Sequence, residues 1–293
     1  MGRLILNADD FGLTAGVNRA VAELHRAGAL TSATLMARAS ATDEAIAIAR
    51  STPTLGVGCH VVLVDGEPVL SPTRDIPHLA GPVDGRFRSS SLLSFIHRLY
   101  RDPWARYWPS QSIFAREIEA ETAAQIALLQ SRGVALTHID THKHVHMFPA
   151  VLRPVLRAAR AAGIRAVRNP FEPAWSRRAT LHAPWLRRAE VSLLRLWEPA
   201  FRRILAEEGF VTTDGALGVL ATGTLDAATL AALLSNLPAG TWELVTHPSY
   251  NDADLALAHT RLLASREIER AALAAFHWGD GIERIDFSQL GSG

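Results

Sequence analysis

The run Thr137-His138-Ile139-Asp140-Thr141-His142-Lys143-His144-Val145-His146 carries four imidazoles and a carboxylate on even positions, with Ile139 and Val145 between them. In an extended segment, alternate side chains share a face, so this spacing predicts that every His and the Asp point the same way. A core would not tolerate such an array unpaired. Imidazoles grouped with a carboxylate are what a divalent transition metal takes as ligands. The array is oversupplied for one ion that keeps a position open for water. Some of His138, His142, His144 and His146 must support the site, face substrate or meet solvent, and the plain alternative is a polar strand end with scattered His.

Three further features leave the ends of expected strands. Asn7-Ala8-Asp9-Asp10-Phe11-Gly12 follows the first, His60 lies in Gly58-Cys59-His60-Val61-Val62-Leu63, and Thr246-His247-Pro248 follows the last. Adjacent carboxylates are costly unless a cation or a shared proton relieves them. A metal relieves one and leaves the other to act as a base, so Asp9 and Asp10 could divide labour. A strand-ending Asx turn before Gly12 is the structural alternative. His60 reads alternatively as a core histidine, and alternation turns Cys59 away from whatever His60 faces, as an inert packed thiol.

The elements that must position these residues alternate between short apolar runs and helix-period segments, the pattern of βα units around a parallel sheet or barrel. Strands are expected at Arg3–Asn7, Leu30–Ala37, Leu55–Val64, Ala135–Asp140, Arg165–Arg168, Leu217–Ala221 and Glu243–Thr246. Helices are expected at Val17–Arg26, Asp43–Arg50 with Thr42 as cap, Glu117–Gln130, and Pro149–Ala162. Two long stretches break the rhythm. One, near 65–110, holds Trp104, Tyr107 and Trp108; the other, near 170–213, holds Trp175, Trp185 and Trp197 among many arginines. Both follow strands and are expected as insertions on the carboxyl-terminal rim, where barrels build their sites.

With 293 residues, no linker-like tract and a formal charge of +1, the chain reads as one α/β domain spanning 1–293 and not as a strongly basic nucleic-acid binder. The lone cysteine permits no intrachain disulfide and fits a reducing compartment. No apolar stretch reaches transmembrane length, so a cytoplasmic protein is expected.

Taken together, Asn-Ala-Asp-Asp-Phe-Gly, Gly-x-His-x-x-Leu, Thr-His-x-Asp-x-His-x-His-x-His-Met-x-Pro and the late His-Pro resemble the YdjC-like carbohydrate deacetylases, from Leu4 to beyond His247. The resemblance implies a distorted (β/α) TIM-like barrel and removal of N-acetyl groups from amino sugars. It implies Asp9 as general base, Asp10, His60 and His142 as metal ligands, and His247 as the group assisting the leaving amine. His138, Asp140, His144, His146 and Arg168 would support the site or face substrate, Asp140 being a candidate to orient His142. The stretch Cys59–Leu70, with Gly85-Arg86-Phe87, also looks like the branch associated with hopanoid biosynthesis, where the substrate is an N-acetylglucosaminyl lipid.

The implied cofactor is one divalent ion, with Zn²⁺, Mg²⁺, Mn²⁺ and Co²⁺ all compatible with two imidazoles and a carboxylate. The implied partner is an N-acetylated amino sugar, an N-acetylglucosamine oligomer or a lipid-linked form; a homo-oligomer is compatible with the sequence. Rival readings are a metal-dependent phosphoesterase, which would need two ions, and a non-catalytic metal- or sugar-binding barrel. For the Trp/Arg stretch around Trp185, Arg187, Arg188, Arg195 and Trp197, an ordinary helix with Trp in the core and Arg in solvent competes with a basic amphipathic surface for a membrane.

Overall fold

The computed structural model describes residues 2–81, 85–87, 94, 95, 97, 113–258, 260–279 and 281–290. The aromatic group Trp104, Tyr107 and Trp108 lies outside the described residues. Seven parallel strands form the sheet among them: β1 (Gly2–Phe11), β2 (Ser32–Leu35), β3 (Gly56–Val61), β4 (Leu136–Thr141), β5 (Gly215–Leu217), β6 (Gly240–Thr246) and β7 (Glu283–Ile285). Their order is β4-β3-β2-β1-β6-β5, with β7 paired to the first residues of β1. The expected strand at Arg165–Arg168 is reduced to isolated bridges, Ile139 with Val167 and Ala166 with Val211. The Ala216 N–H donates to the Phe171 carbonyl at 3.2 Å, which ties this stretch to β5. The result is an α/β fold whose parallel sheet curls in the manner of a (β/α) barrel.

Alternation along the strands separates two cores. Leu4, Leu6 and Ala8 of β1 pack outward with Val17, Val21 and Leu24 of α1 (Ala15–Arg26), while Ile5 points inward to Ala166, Ile285 and Phe287. Cys59 joins the outer core and is fully buried, which leaves its thiol inert and its pKa pushed up by burial. The inner positions above Ile5 are polar: Asn7, Asp9, His60, Asp140, Arg168 and Glu243 are all buried. Such groups persist in an interior only when they satisfy one another.

Local chemistry moved several expected boundaries. In α2 (Thr42–Ser51) the N-cap residue is Ala41, and Thr42 instead donates to the Met36 carbonyl and accepts from the Ala39 N–H, both at 2.9 Å. The strand expected at Leu217–Ala221 ends at Leu217, because Gly218 takes φ 83° and turns the chain. Helix α3 (Ile113–Ser131) carries a buried polar stripe along one face. Glu117 accepts from the Leu79 N–H at 2.8 Å, Glu121 from the Val69 N–H at 2.8 Å, and Gln125 from the Val62 N–H at 2.9 Å. Residues three to four apart share a helix face, so this stripe fastens the segment that follows β3.

The chain continues through α4 (Pro149–Ala161), and the 170–213 stretch is largely helical: α5 (Ala174–Ala179), α6 (Trp185–Leu194) and α7 (Glu198–Glu208). Helix α8 (Ala227–Ser235) precedes β6, and α9 (Ala253–Leu257) and α10 (Ala264–Ala275) precede β7. No helix of the described residues is long and apolar enough to cross a membrane.

Candidate active site

The array of histidines does not stay extended. Strand β4 ends at Thr141, and His142–Met147 forms a 3₁₀ turn in which Lys143 and His144 adopt left-handed φ values of 56° and 54°. The shared face therefore holds for His138 and Asp140 and fails beyond them. His142 stands at the turn's first position, 3.2 Å through Nδ1 from Asp10 Oδ1 and 3.3 Å from His60 Nε2. His60 Nε2 lies 3.4 Å from the same Asp10 oxygen. These three atoms form a nearly equilateral triangle drawn from the ends of β1, β3 and β4.

Asp9 and Asp10 both reach this region, although neighbours on a strand should face opposite ways. A bulge between Ala8 and Phe11 breaks the β1–β2 register, and Asp10 sits at φ 62°. That left-handed residue turns its carboxylate back to the side Asp9 already faces. The turn is held by Gly12, at φ 96°, whose N–H donates to Asn18 Oδ1 at 2.8 Å.

Each carboxylate also has its own arginine. Arg168 grips Asp9 through Nη1 to Oδ2 at 2.8 Å and Nη2 to Oδ1 at 2.6 Å, and it meets Asp140 Oδ2 and, at 2.7 Å, Glu243 Oε1. Arg266 of α10 meets Asp10 Oδ2 at 2.5 Å. Burial alone would raise the Asp9 pKa; Arg168 and His60 outweigh it and hold the group well below the usual carboxylate range. Asp10 is lowered against burial by Arg266 and the two histidines. Asn7 Nδ2 and Thr34 Oγ1 also donate to Asp9 Oδ1, at 2.9 and 3.2 Å, so its orientation is fixed from three sides.

Asp140 orients His60, not His142. Its Oδ1 lies 2.8 Å from His60 Nδ1, which leaves Nε2 directed at Asp10. Burial works against a charged His60, yet Asp140, Asp10 and Asp9 raise its pKa to about 10. Asp9, Asp10, Asp140 and Glu243 meet Arg168, Arg266 and a His60 that the three aspartates hold protonated, and burial raises the Glu243 pKa to about 7. Once His60 gives up its proton the carboxylates outnumber the cations, and a metal ion would replace that proton between His60 and Asp10.

The remaining histidines divide by environment. His138 lies deeper, stacked on Phe287 with ring centroids 3.7 Å apart, and burial lowers its pKa to about 3. A Cβ on Gly58 would fall 2.5 Å from that ring, so the glycine makes room for it. His146 is a brace: Nδ1 accepts from Thr141 Oγ1 at 2.7 Å and Nε2 donates to the Arg168 carbonyl at 3.1 Å. His144 is kept neutral by burial and the nearby Arg168, and its Nδ1 has no hydrogen-bond partner. His247 follows β6 with Nε2 3.8 Å from Asp9 Oδ2, and burial lowers its pKa to about 4. Its backbone N–H donates to Glu269 of α10.

Sequence reasoning missed Arg266, Glu243 and Glu269. Nothing local distinguishes them from charges on an ordinary solvated helix or strand edge; Arg266 has Glu267 and Glu269 as neighbours in α10.

The fold and this centre define a class: a barrel-like α/β protein whose Asp–His–His group at the strand ends could hold a metal ion. The sequence narrows the class. Residues 3–279 match the model of the YdjC-like protein family, and the chain belongs to that family. It is 31% identical over 301 residues to the carbohydrate deacetylase of Brevibacillus brevis, covering 99% of this chain and all of that one. It is 36% identical over 159 residues to the carbohydrate deacetylase of Halalkalibacterium halodurans, covering 54% and 60% of the two chains. A crystal structure from Enterococcus faecalis V583, described as a candidate cellobiose-phosphate cleavage protein, superimposes with a TM-score of 0.72 at 23% identity, covering 98% of each chain. That likeness bears on the fold.

Proposed function

We propose that this protein is a metal-dependent carbohydrate N-deacetylase that hydrolyses the acetamide of an N-acetylated amino sugar, an N-acetylglucosamine oligomer or an N-acetylglucosaminyl lipid. The observation that carries the reading is the triangle of Asp10 Oδ1, His60 Nε2 and His142 Nδ1, with Asp9 beside it. Its edges of 3.2–3.4 Å suit a small divalent ion. Ligand bonds of about 2.0–2.1 Å in tetrahedral arrangement set donor atoms about 3.3–3.4 Å apart. Asp10 Oδ1 is buried and, among the described residues, faces the His142 and His60 nitrogens at 3.2 and 3.4 Å, a setting that a cation suits. The relatives named carbohydrate deacetylase support the reaction class.

Asp10, His60 and His142 would hold the ion, and Asp140 would keep the His60 ring turned toward it. A bound divalent ion acidifies water and polarises an acetamide carbonyl. Asp9, kept ionised by Arg168, accepts the proton of the attacking water. The same clamp makes Asp9 a weak base, so the proton passes on rather than resting there. His247 Nε2, neutral and 3.8 Å from Asp9 Oδ2, is placed to receive it and deliver it to the departing amine.

A second ion, as a phosphoesterase would use, is disfavoured by Arg168. Among the described residues the other close group, Asp9, His60 and Asp140, shares His60 with the first, and both of its carboxylates already take the guanidinium. We read the chain as one catalytic domain, with the helices of the 170–213 stretch framing the mouth. The decisive assay is acetate release from N-acetylglucosamine oligomers with and without chelator. Release that stops with chelator and returns on adding a divalent ion is expected. Chelator-insensitive release, or phosphate release from phosphomonoesters without any deacetylation, would overturn the proposal.

A further inference from the structure

Helix α6 has two apolar faces and only one of them is buried. Val191 and Leu194 turn into the protein, Val191 fully buried and Leu194 packed against the core. Trp185, Leu186, Leu193 and Leu196 are 74, 63, 65 and 74% exposed. The backbone stays helical through Arg195–Trp197, so at about 100° per residue these four fall within one arc of about 100°. The expectation of Trp in the core fails at Trp185. Single exposed apolar residues need no explanation, but four on one helical arc are an interaction surface.

Beside this helix lies a cavity of about 280 Å³ lined by Arg177, Arg178, Arg188 and Ser192. Among the described residues no carboxylate forms a salt bridge with these arginines, though buried Glu172 lies close enough to feel the Arg177 charge. Arg188 donates to the carbonyls of Ala183, Arg177 and Thr180, and Arg177 Nη1 donates to Ser192 Oγ. Arg177 Nε is buried with no hydrogen-bond partner. The unmet Arg177 donor and the exposed Arg178 guanidinium suit phosphate oxygens, while Arg188, engaged on carbonyls, adds its charge. A second copy of the chain docking through the same surface would set arginine against arginine, which disfavours self-association there.

We propose that α6 and the arginine-lined cavity form a peripheral docking surface for an anionic lipid bilayer. Trp185, Leu186, Leu193 and Leu196 enter the headgroup–acyl boundary, and the cavity receives a headgroup phosphate. The surface leaves the end of the 166–171 stretch and is tied to the turn after β5 by Arg187 Nη2 to the Val219 carbonyl at 3.2 Å. Docking is independent of the hydrolytic chemistry proposed above.

The test is co-sedimentation of the full chain with phosphatidylcholine vesicles and with vesicles containing phosphatidylglycerol. Binding to the anionic vesicles alone, weakened by salt, is expected. Trp185→Ala with Leu193→Ser, and separately Arg178→Glu, should each lower the bound fraction by about an order of magnitude, with melting curves unchanged. Activity toward a soluble N-acetylated oligomer should not change. No anionic-vesicle binding at low salt, or binding unaffected by both variants, overturns the proposal. So does a dimer in sedimentation equilibrium that Trp185→Ala dissolves.

Discussion

Arg168 and Asp9 meet through two parallel hydrogen bonds inside the curled sheet, although 159 positions separate them in the chain. The guanidinium also reaches Asp140 and Glu243, so one side chain ties together carboxylates from β1, β4 and β6. Removing one partner of a buried charge network leaves the others uncompensated. Arg168→Met should therefore cost about 3–5 kcal/mol in urea unfolding. Arg168→Lys should recover only part of this, because an ammonium cannot form the two-point contact. A loss under about 1 kcal/mol for the Met variant would mean that the network does not hold the fold together.

The two aspartates should separate metal binding from turnover. Asp10→Asn weakens the Asp–His–His triangle and should lower divalent-metal content in elemental analysis. Asp9→Asn should keep the metal and lose activity. The reverse pattern would exchange the two roles, and equal metal loss in both variants would place Asp9 among the ligands.

His247→Ala should retain metal and lower kcat by about 10²–10⁴-fold, the range for losing a positioned proton-transfer group. A normal kcat across the whole pH range would remove His247 from the proton path.

Glu269 gives a pH-dependent prediction. Burial raises its pKa to about 8, partly offset by the His247 N–H and Arg266. A carboxyl with a raised folded-state pKa binds its proton more tightly when folded. Its contribution is complete below the unfolded value of 4.5 and is lost as pH rises through about 8. Glu269→Gln removes that loss. Between about pH 5 and 8 the variant should gain on wild type with a slope approaching 1.4 kcal/mol per pH unit, read from urea midpoints. Parallel pH profiles for the two proteins would show that Glu269 does not titrate in this window.

Much of this was legible in the chain itself. Apolar runs alternating with helix-period segments are local signals, and they located β1, β3, β4 and β6 to within a few residues. Because sites in such folds gather at strand ends, the same signals pointed to Asp9, Asp10, His60, His247 and the histidine array as a whole, and the family resemblance picked His142 from that array. The structure brings all five to one centre. Residue type and strand alternation also assigned Cys59 to the outer core, opposite His60.

What the tertiary structure alone decided depends on contacts between distant segments. The left-handed turn at Asp10 lets two adjacent carboxylates share a site, against strand alternation. The 3₁₀ turn after Thr141 separates the later histidines, His142 joining Asp10 and His60 while His146 braces Arg168. His138, still on β4, packs on Phe287 below. Arg266 and Glu243 become partners of the site only because α10 and β6 pack where they do. The sequence supplied the alternating histidine array, but which of its members meets Asp10 and His60 depends on where the strand stops.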